Sequence, residues 1–145
     1  MVAALQSRPR AEDRSQRGLA VVELALLLPL LMLVLFGVIE YGWMFLKNQQ
    51  IADAARTGAR VAVTEGATNA LVTARVEQAL ATSNLGSSGY VLILVPSDIS
   101  TAPPGSTVRV EILVPYANIA LTGVPIVPVP DGLASQTSMV KEGTP

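Results

Sequence analysis

Residues 17–46 read RGLAVVELALLLPLLMLVLFGVIEYGWMFL, and this stretch decides the fold. From Leu19 to Leu46 the chain carries only two charged side chains, Glu23 and Glu40. A helix of this length extends roughly 42 Å, which exceeds the ~30 Å that a bilayer's hydrocarbon core requires. Three aromatic residues cluster near its end, as they do where membrane helices reach the headgroups. The stretch therefore predicts a membrane-spanning helix.

Its flanks and interior refine that prediction. The run is too long for the apolar part of a cleaved secretory signal, and no small-residue cleavage site follows it. Four arginines precede the span and three basic residues follow it closely, which favours a cytoplasmic N-terminus. Pro29 lies inside the span, where it predicts a kink or a melted turn over residues 25–28.

Composition limits the possible functions. Half of the 145 residues are hydrophobic, 14% are charged, and the net charge is -1. Cysteine and histidine are both absent, which excludes disulfides, thiol chemistry and histidine metal sites. The acids are scattered, and no basic cluster with interleaved aromatics recurs. We therefore expect no enzyme, no metal or other cofactor, no small-molecule substrate and no nucleic-acid partner.

Periodicity in the remaining chain predicts helices followed by strands. Small and apolar residues recur at helical spacing from Lys47 to Val63, which predicts that the first helix continues beyond the membrane. Residues 68–81 predict a second helix, whose expected apolar face is Leu71, Val72, Val76, Ala79 and Leu80. Residues 90–95 and 107–116 predict two strands, the second with regular alternation. The proline-rich segment 123–132 predicts an extended surface loop.

Two features resemble a known family. The first is the order Arg17-Gly18, Glu23, an internal proline and Glu40-Tyr41-Gly42. The second is Ala54-Ala55-Arg56-Thr57-Gly58-Ala59-Arg60, just beyond the apolar run, which is similar to an AAR-x-GAR signature. Together they cover about a third of the chain and resemble the TadE-like pseudopilins of the tight-adherence pilus.

The resemblance implies a pilin-like α+β fold with a long N-terminal transmembrane helix, a second helix and a small sheet of about three antiparallel strands. It supports a third strand over residues 133–142. It also implies three regions: a prepilin leader at 1–18, a transmembrane helix at 19–46 and an extracytoplasmic domain at 47–145. The leader would be removed between Gly18 and Leu19 by a prepilin peptidase on the cytoplasmic side of the bacterial inner membrane.

Several charged residues then acquire candidate roles. Glu23 would lie one helical turn from the new α-amino group at Leu19 and aid docking onto a fibre; the alternative is a wetted carboxylate that favours the helix dipole. Glu40 is either an interfacial carboxylate or a partner for a basic residue of another pilin. Arg56 and Arg60 either form a solvated or intramolecular ion-pair face or pair with a charged residue of another subunit.

The sequence thus favours a minor pseudopilin, a structural or assembly subunit of an adhesive pilus or a related secretion filament. Its expected partners are the membrane, the peptidase, other pilins and the assembly platform of the inner membrane. The alternative is an uncleaved single-pass envelope protein whose small domain binds a protein partner. The start of the mature chain separates the two hypotheses.

Overall fold

A computed structural model describes residues 11–123 and 127–143, with side chains described from Gly18 onward. The first ten residues of the expected leader and residues 124–126 of the proline-rich segment lie outside this range. Two helices, α1 (Ala11–Ala62) and α2 (Asn69–Thr82), precede three strands. The strands are β1 (Val91–Val95), β2 (Thr107–Pro115) and β3 (Gly132–Val140).

The fold is α+β, as predicted. The strands form one antiparallel sheet in the order β1-β2-β3, with Val91 opposite Leu113 and Thr107 opposite Val140. The predicted third strand is confirmed. The alternation predicted for β2 is confirmed as well, because Val108, Val110, Ile112 and Val114 are all buried against the helices.

Helix α1 has two parts with different environments. Every residue from Leu19 to Phe36 is exposed, whereas one face of the helix from Gly37 onward is buried under the rest of the chain. The helix runs through Pro29 without a break, so the predicted melted turn does not occur. Membrane helices tolerate an internal proline when local adjustments satisfy the freed carbonyl groups.

The C-terminal part of α1 packs closely because its inner face is small. Ala54, Ala55, Gly58, Ala59 and Ala62 are all buried there. A Cβ placed on Gly58 would lie 2.5 Å from Val76 Cγ2 on α2 and 3.4 Å from Val110 Cγ1 on β2. Side chains of ordinary size would hold α2 and the sheet away from α1, so the small residues set the spacing of the domain.

Helix α2 begins at a regular N-cap and buries a narrow face. The Thr68 hydroxyl accepts a hydrogen bond from the Leu71 amide at 3.4 Å, and Val72, Val76 and Leu80 are buried. Leu71 is 56% exposed, so its predicted place on the buried face is wrong. The buried stripe repeats at four-residue spacing from Val72, and Leu71 lies about 100° away from it around the helix.

Candidate functional site

The first part of α1, residues 19–36, presents a long exposed apolar surface. Leu26 is 76% exposed and Leu30 is 61% exposed, although both are large apolar side chains. Within the described residues, the helix from Gly18 to Ala62 is long and apolar enough to cross a membrane, by length and composition. One long apolar helix of this kind is what a single-pass membrane protein requires.

Gly18, Leu19 and Glu23 all lie exposed at the beginning of this surface. A Cβ on Gly18 would meet no atom within 4 Å, and Leu19 is 70% exposed. Glu23 stands one helical turn beyond Leu19, at about 6 Å of axial rise. Gly18, Leu19 and Glu23 are thus exposed residues of α1 in the described structure.

Glu40 has a different environment, because the rest of the chain folds over it. Only 3% of its surface is exposed. Its Oε1 accepts hydrogen bonds from the Tyr116 hydroxyl at 2.6 Å and the Leu121 amide at 3.4 Å, and its Oε2 accepts one from the Thr122 hydroxyl at 3.2 Å. Any ion pair between Glu40 and another subunit would have to replace these intramolecular bonds.

Tyr116 is the main partner of Glu40 and is itself buried, at 2% exposure. Burial and the adjacent carboxylate both disfavour a phenolate, so they raise the pKa of Tyr116 above its ordinary value of 10.0. The phenol therefore remains protonated at physiological pH and acts as a permanent donor to Glu40.

The donors to Glu40 belong to the connection between β2 and β3. We call its described residues, 116–123 and 127–131, the strap. The strap accepts two further hydrogen bonds from α1: Trp43 Nε1 donates to the Ile119 carbonyl at 2.7 Å, and the Tyr41 hydroxyl donates to the Pro128 carbonyl at 2.8 Å. A Cβ on Gly37 would be 3.4 Å from Val127 Cγ1. The strap thus contacts α1 over residues 37–43.

One turn further along, Lys47 joins α1 to the end of α2. Its ammonium group donates to the Ser83 carbonyl at 3.1 Å and lies 4.8 Å from the centroid of the Trp43 ring. The domain therefore packs on α1 from Gly37 onward. The sequence predicts that the domain begins at Lys47, ten residues later. The predicted membrane and domain regions overlap along one side of the helix.

Arg56 and Arg60 lie on the outer face of α1 and are exposed. Arg56 forms an ion pair with Asp53 at 3.1 Å, in which both side chains are more than half exposed. About 24 Å of helix separates Arg56 from Glu40, so the structure does not bring these candidate residues together. The AAR-x-GAR motif, residues 54–60, therefore combines buried small residues with two arginines that are exposed to solvent or to another molecule.

Comparison with known protein families gives a match in the first part of the chain. The family model described as TadE-like protein matches residues 18–60, from the exposed glycine to the second arginine of the motif. We call residues 18–60, which are similar to this family, the TadE-like region. Among curated proteins and among solved structures, nothing matches the chain. The TadE-like region contains the exposed apolar surface, Glu40 and the small-residue face except Ala62, whereas the strap and sheet lie outside it.

Sequence reasoning did not find the partners of Glu40. They lie 76 to 82 residues further along the chain, beyond any local pattern. One signal was present: residues 117–130 contain no charged side chain, which suits a segment that lies on an apolar surface. In the described part of the chain, no three acidic residues cluster as a metal site would require.

Proposed function

We propose that the chain is a minor pseudopilin, a structural or assembly subunit of a tight-adherence pilus or a related secretion filament. The observation that carries this proposal is the exposed apolar helix, residues 19–36, which projects from a small α+β domain and bears Glu23 near its start. The TadE-like region supports association with that pilus system, and it begins at Gly18.

Maturation at Gly18–Leu19 is the first step of the proposal. A prepilin peptidase would remove residues 1–18 and leave a charged α-amino group on Leu19. Glycine before the bond aids this reaction, because a helix is weakened there by about 0.5–1 kcal/mol relative to alanine and the backbone can extend into a protease cleft. Gly18 is an exposed residue, and no other part of the described chain lies within 4 Å of a Cβ placed on it, which supports access by the peptidase.

Glu23 is the proposed assembly carboxylate. A carboxylate inside an apolar helix costs on the order of 2.5–3.5 kcal/mol at the bilayer centre unless it is paired. An α-amino group, on its own chain or on the neighbouring subunit, supplies that pairing. Glu23 is exposed on the apolar surface, so in the described structure the carboxylate remains available for such a partner.

The proposed topology follows from the same helix. The apolar segment anchors the chain in the bacterial inner membrane with its N-terminus in the cytoplasm, and the α+β domain lies on the extracytoplasmic side. Other pilins and the assembly platform are the proposed partners. A fibre component and a subunit retained at the base would share this topology, and detection of the chain in sheared pili distinguishes them.

The experiment compares Glu23→Ala with Glu65→Ala, which removes an exposed glutamate outside the membrane helix. Each variant is expressed from an introduced gene in cells that lack their own copy, so that piliation depends on the variant. We expect Glu23→Ala to insert and to be processed while pili are lost, and Glu65→Ala to support normal pili. Normal piliation with Glu23→Ala would remove the role proposed for this carboxylate. Retention of the leader on every variant would favour the uncleaved envelope protein instead.

A further inference from the structure

The described residues between 117 and 130 of the strap combine exposed apolar side chains with polar side chains that are hydrogen-bonded within the chain. The chain carries no charge from Ala117 to Pro130. Leu121 is 47% exposed, and Pro128 and Pro130 are exposed as well. The two polar side chains of the described strap within this range are both bonded: Asn118 donates to the Ser88 carbonyl, and Thr122 donates to Glu40.

The strap also lies at the height where the bilayer must end. A span needs about 20 residues, so a hydrocarbon core that begins at Leu19 ends near Val38. If Glu23 marks the cytoplasmic boundary instead, the core begins at Leu24 and ends near Trp43. Contacts between the strap and α1 occupy this interval, from Gly37 to Trp43.

The backbone of the strap is adapted to such a position. Non-helical backbone near lipid must have its polar groups satisfied within the protein. The carbonyl groups of Ile119 and Pro128 accept hydrogen bonds from Trp43 and Tyr41. The prolines at 128 and 130 have no N–H to satisfy. The strap also seals Glu40, which otherwise would present a charge at the edge of the hydrocarbon.

We propose that the strap is a second membrane contact, immersed in the boundary between acyl chains and headgroups on the extracytoplasmic side. The proposal rests on the membrane anchoring in the proposed function, but it does not depend on cleavage at Gly18. Immersion at this boundary, about 5–10 Å deep for interfacial segments, would hold the domain at a fixed height and tilt above the membrane. Because residues 117–130 carry no charge, contact of this part of the strap with lipid does not require anionic headgroups.

The absence of cysteine allows the test to use single nitroxide labels on the full chain. The chain is reconstituted at a low protein-to-lipid ratio in phosphatidylcholine vesicles. Separate variants carry the label at Leu121→Cys and Pro128→Cys in the strap. A label at Leu30→Cys reports the middle of the span. Val140→Cys, 61% exposed at the end of the sheet remote from the strap, reports an apolar site facing water.

Collision of each label with oxygen, which concentrates in lipid, is compared with its collision with a water-soluble nickel chelate. We expect the oxygen-to-nickel ratio at both strap sites to be several-fold higher than at 140 and below that at 30. Adding phosphatidylglycerol should leave it unchanged. Fluorescence of Trp43, which contacts the strap, verifies that each variant is folded.

Ratios at 121 and 128 equal to that at 140 would overturn the proposal while a lipid-like ratio at 30 retains the membrane helix. Protection of the strap labels from both reagents would also overturn it, because protein rather than lipid would then cover the strap. A water-like ratio at 30 would contradict the membrane anchoring itself, and with it both the proposed function and the strap proposal.

Discussion

Substitution of Gly58 by alanine probes the packing that organises the domain. The new Cβ would lie 2.5 Å from Val76 Cγ2 and 3.4 Å from Val110 Cγ1, whereas carbon atoms in good contact are about 3.5–4.0 Å apart. Val76 is fully buried and β-branched, so its side chain has little freedom to move away. Helix α1 and helix α2 must therefore separate locally to admit one methyl group.

The expected magnitude follows from two opposing effects. Overpacking of a well-packed core costs about 1–3 kcal/mol. Replacing glycine by alanine inside a helix gains up to about 1 kcal/mol. We therefore expect Gly58→Ala to lower the free energy of unfolding by up to about 2 kcal/mol, and to be about 1–3 kcal/mol less stable than a Gly→Ala variant of the same helix that has room for the methyl group. Gly42→Ala, in the same helix but with no atom of another part of the chain within 4 Å of the added carbon, supplies this comparison and is expected to raise the free energy of unfolding by up to about 1 kcal/mol.

The assay is denaturant unfolding of the full chain in detergent micelles, followed through the fluorescence of Trp43, the single tryptophan. A double-mutant cycle with Val76→Ala isolates the clash, because that substitution removes the Cγ2 atom that the new methyl group meets. We expect the two substitutions together to be less harmful than their sum by about 0.5–3 kcal/mol. Additive effects, or a Gly58→Ala variant as stable as Gly42→Ala, would refute this account of the small-residue face.

Three further predictions concern single contacts. Tyr116→Phe removes a hydrogen bond to the buried Glu40 carboxylate and should lower the free energy of unfolding by about 1.5–3 kcal/mol in the same assay. Burial raises the pKa of Tyr116 in the folded state, so the stabilisation from the Tyr116 phenol is complete below pH 10 and is lost as the pH rises toward the folded-state pKa. The free energy of unfolding should therefore fall above pH 10, and should fall less steeply in Tyr116→Phe. Equal slopes in the two proteins would contradict this explanation. Arg56→Ala breaks an exposed ion pair with Asp53 and should change the free energy of unfolding by no more than about 0.5 kcal/mol. A larger decrease for the isolated chain would show that Arg56 does more than form a solvated ion pair.

Much of this architecture is readable from the sequence because it depends on local patterns. The long apolar run specifies an exposed helix, and the alternation from Val108 to Val114 specifies which face of β2 is buried. The small-residue repeat after Lys47 specifies a helix face that permits close approach. These elements need no information from distant parts of the chain, and the structure confirms them.

The environment of Glu40 could not be predicted in the same way. Its hydrogen-bond donors come from the strap. They follow Glu40 by 76 to 82 positions in the sequence, and no local periodicity connects segments so far apart. Leu71 was misplaced for a related reason. A helix with apolar residues at 71, 72 and 76 has two plausible inner faces, and only the position of α1 and the sheet selects the one that is buried.

Processing between Gly18 and Leu19 is the claim on which the proposed function most depends. The direct measurement is the intact mass and N-terminal sequence of the chain purified from membranes of cells with an active prepilin peptidase, beside cells that lack the enzyme. The account predicts a mature chain that begins at Leu19 in the first cells and a chain that retains residues 1–18 in the second. A chain that retains residues 1–18 in both would contradict it.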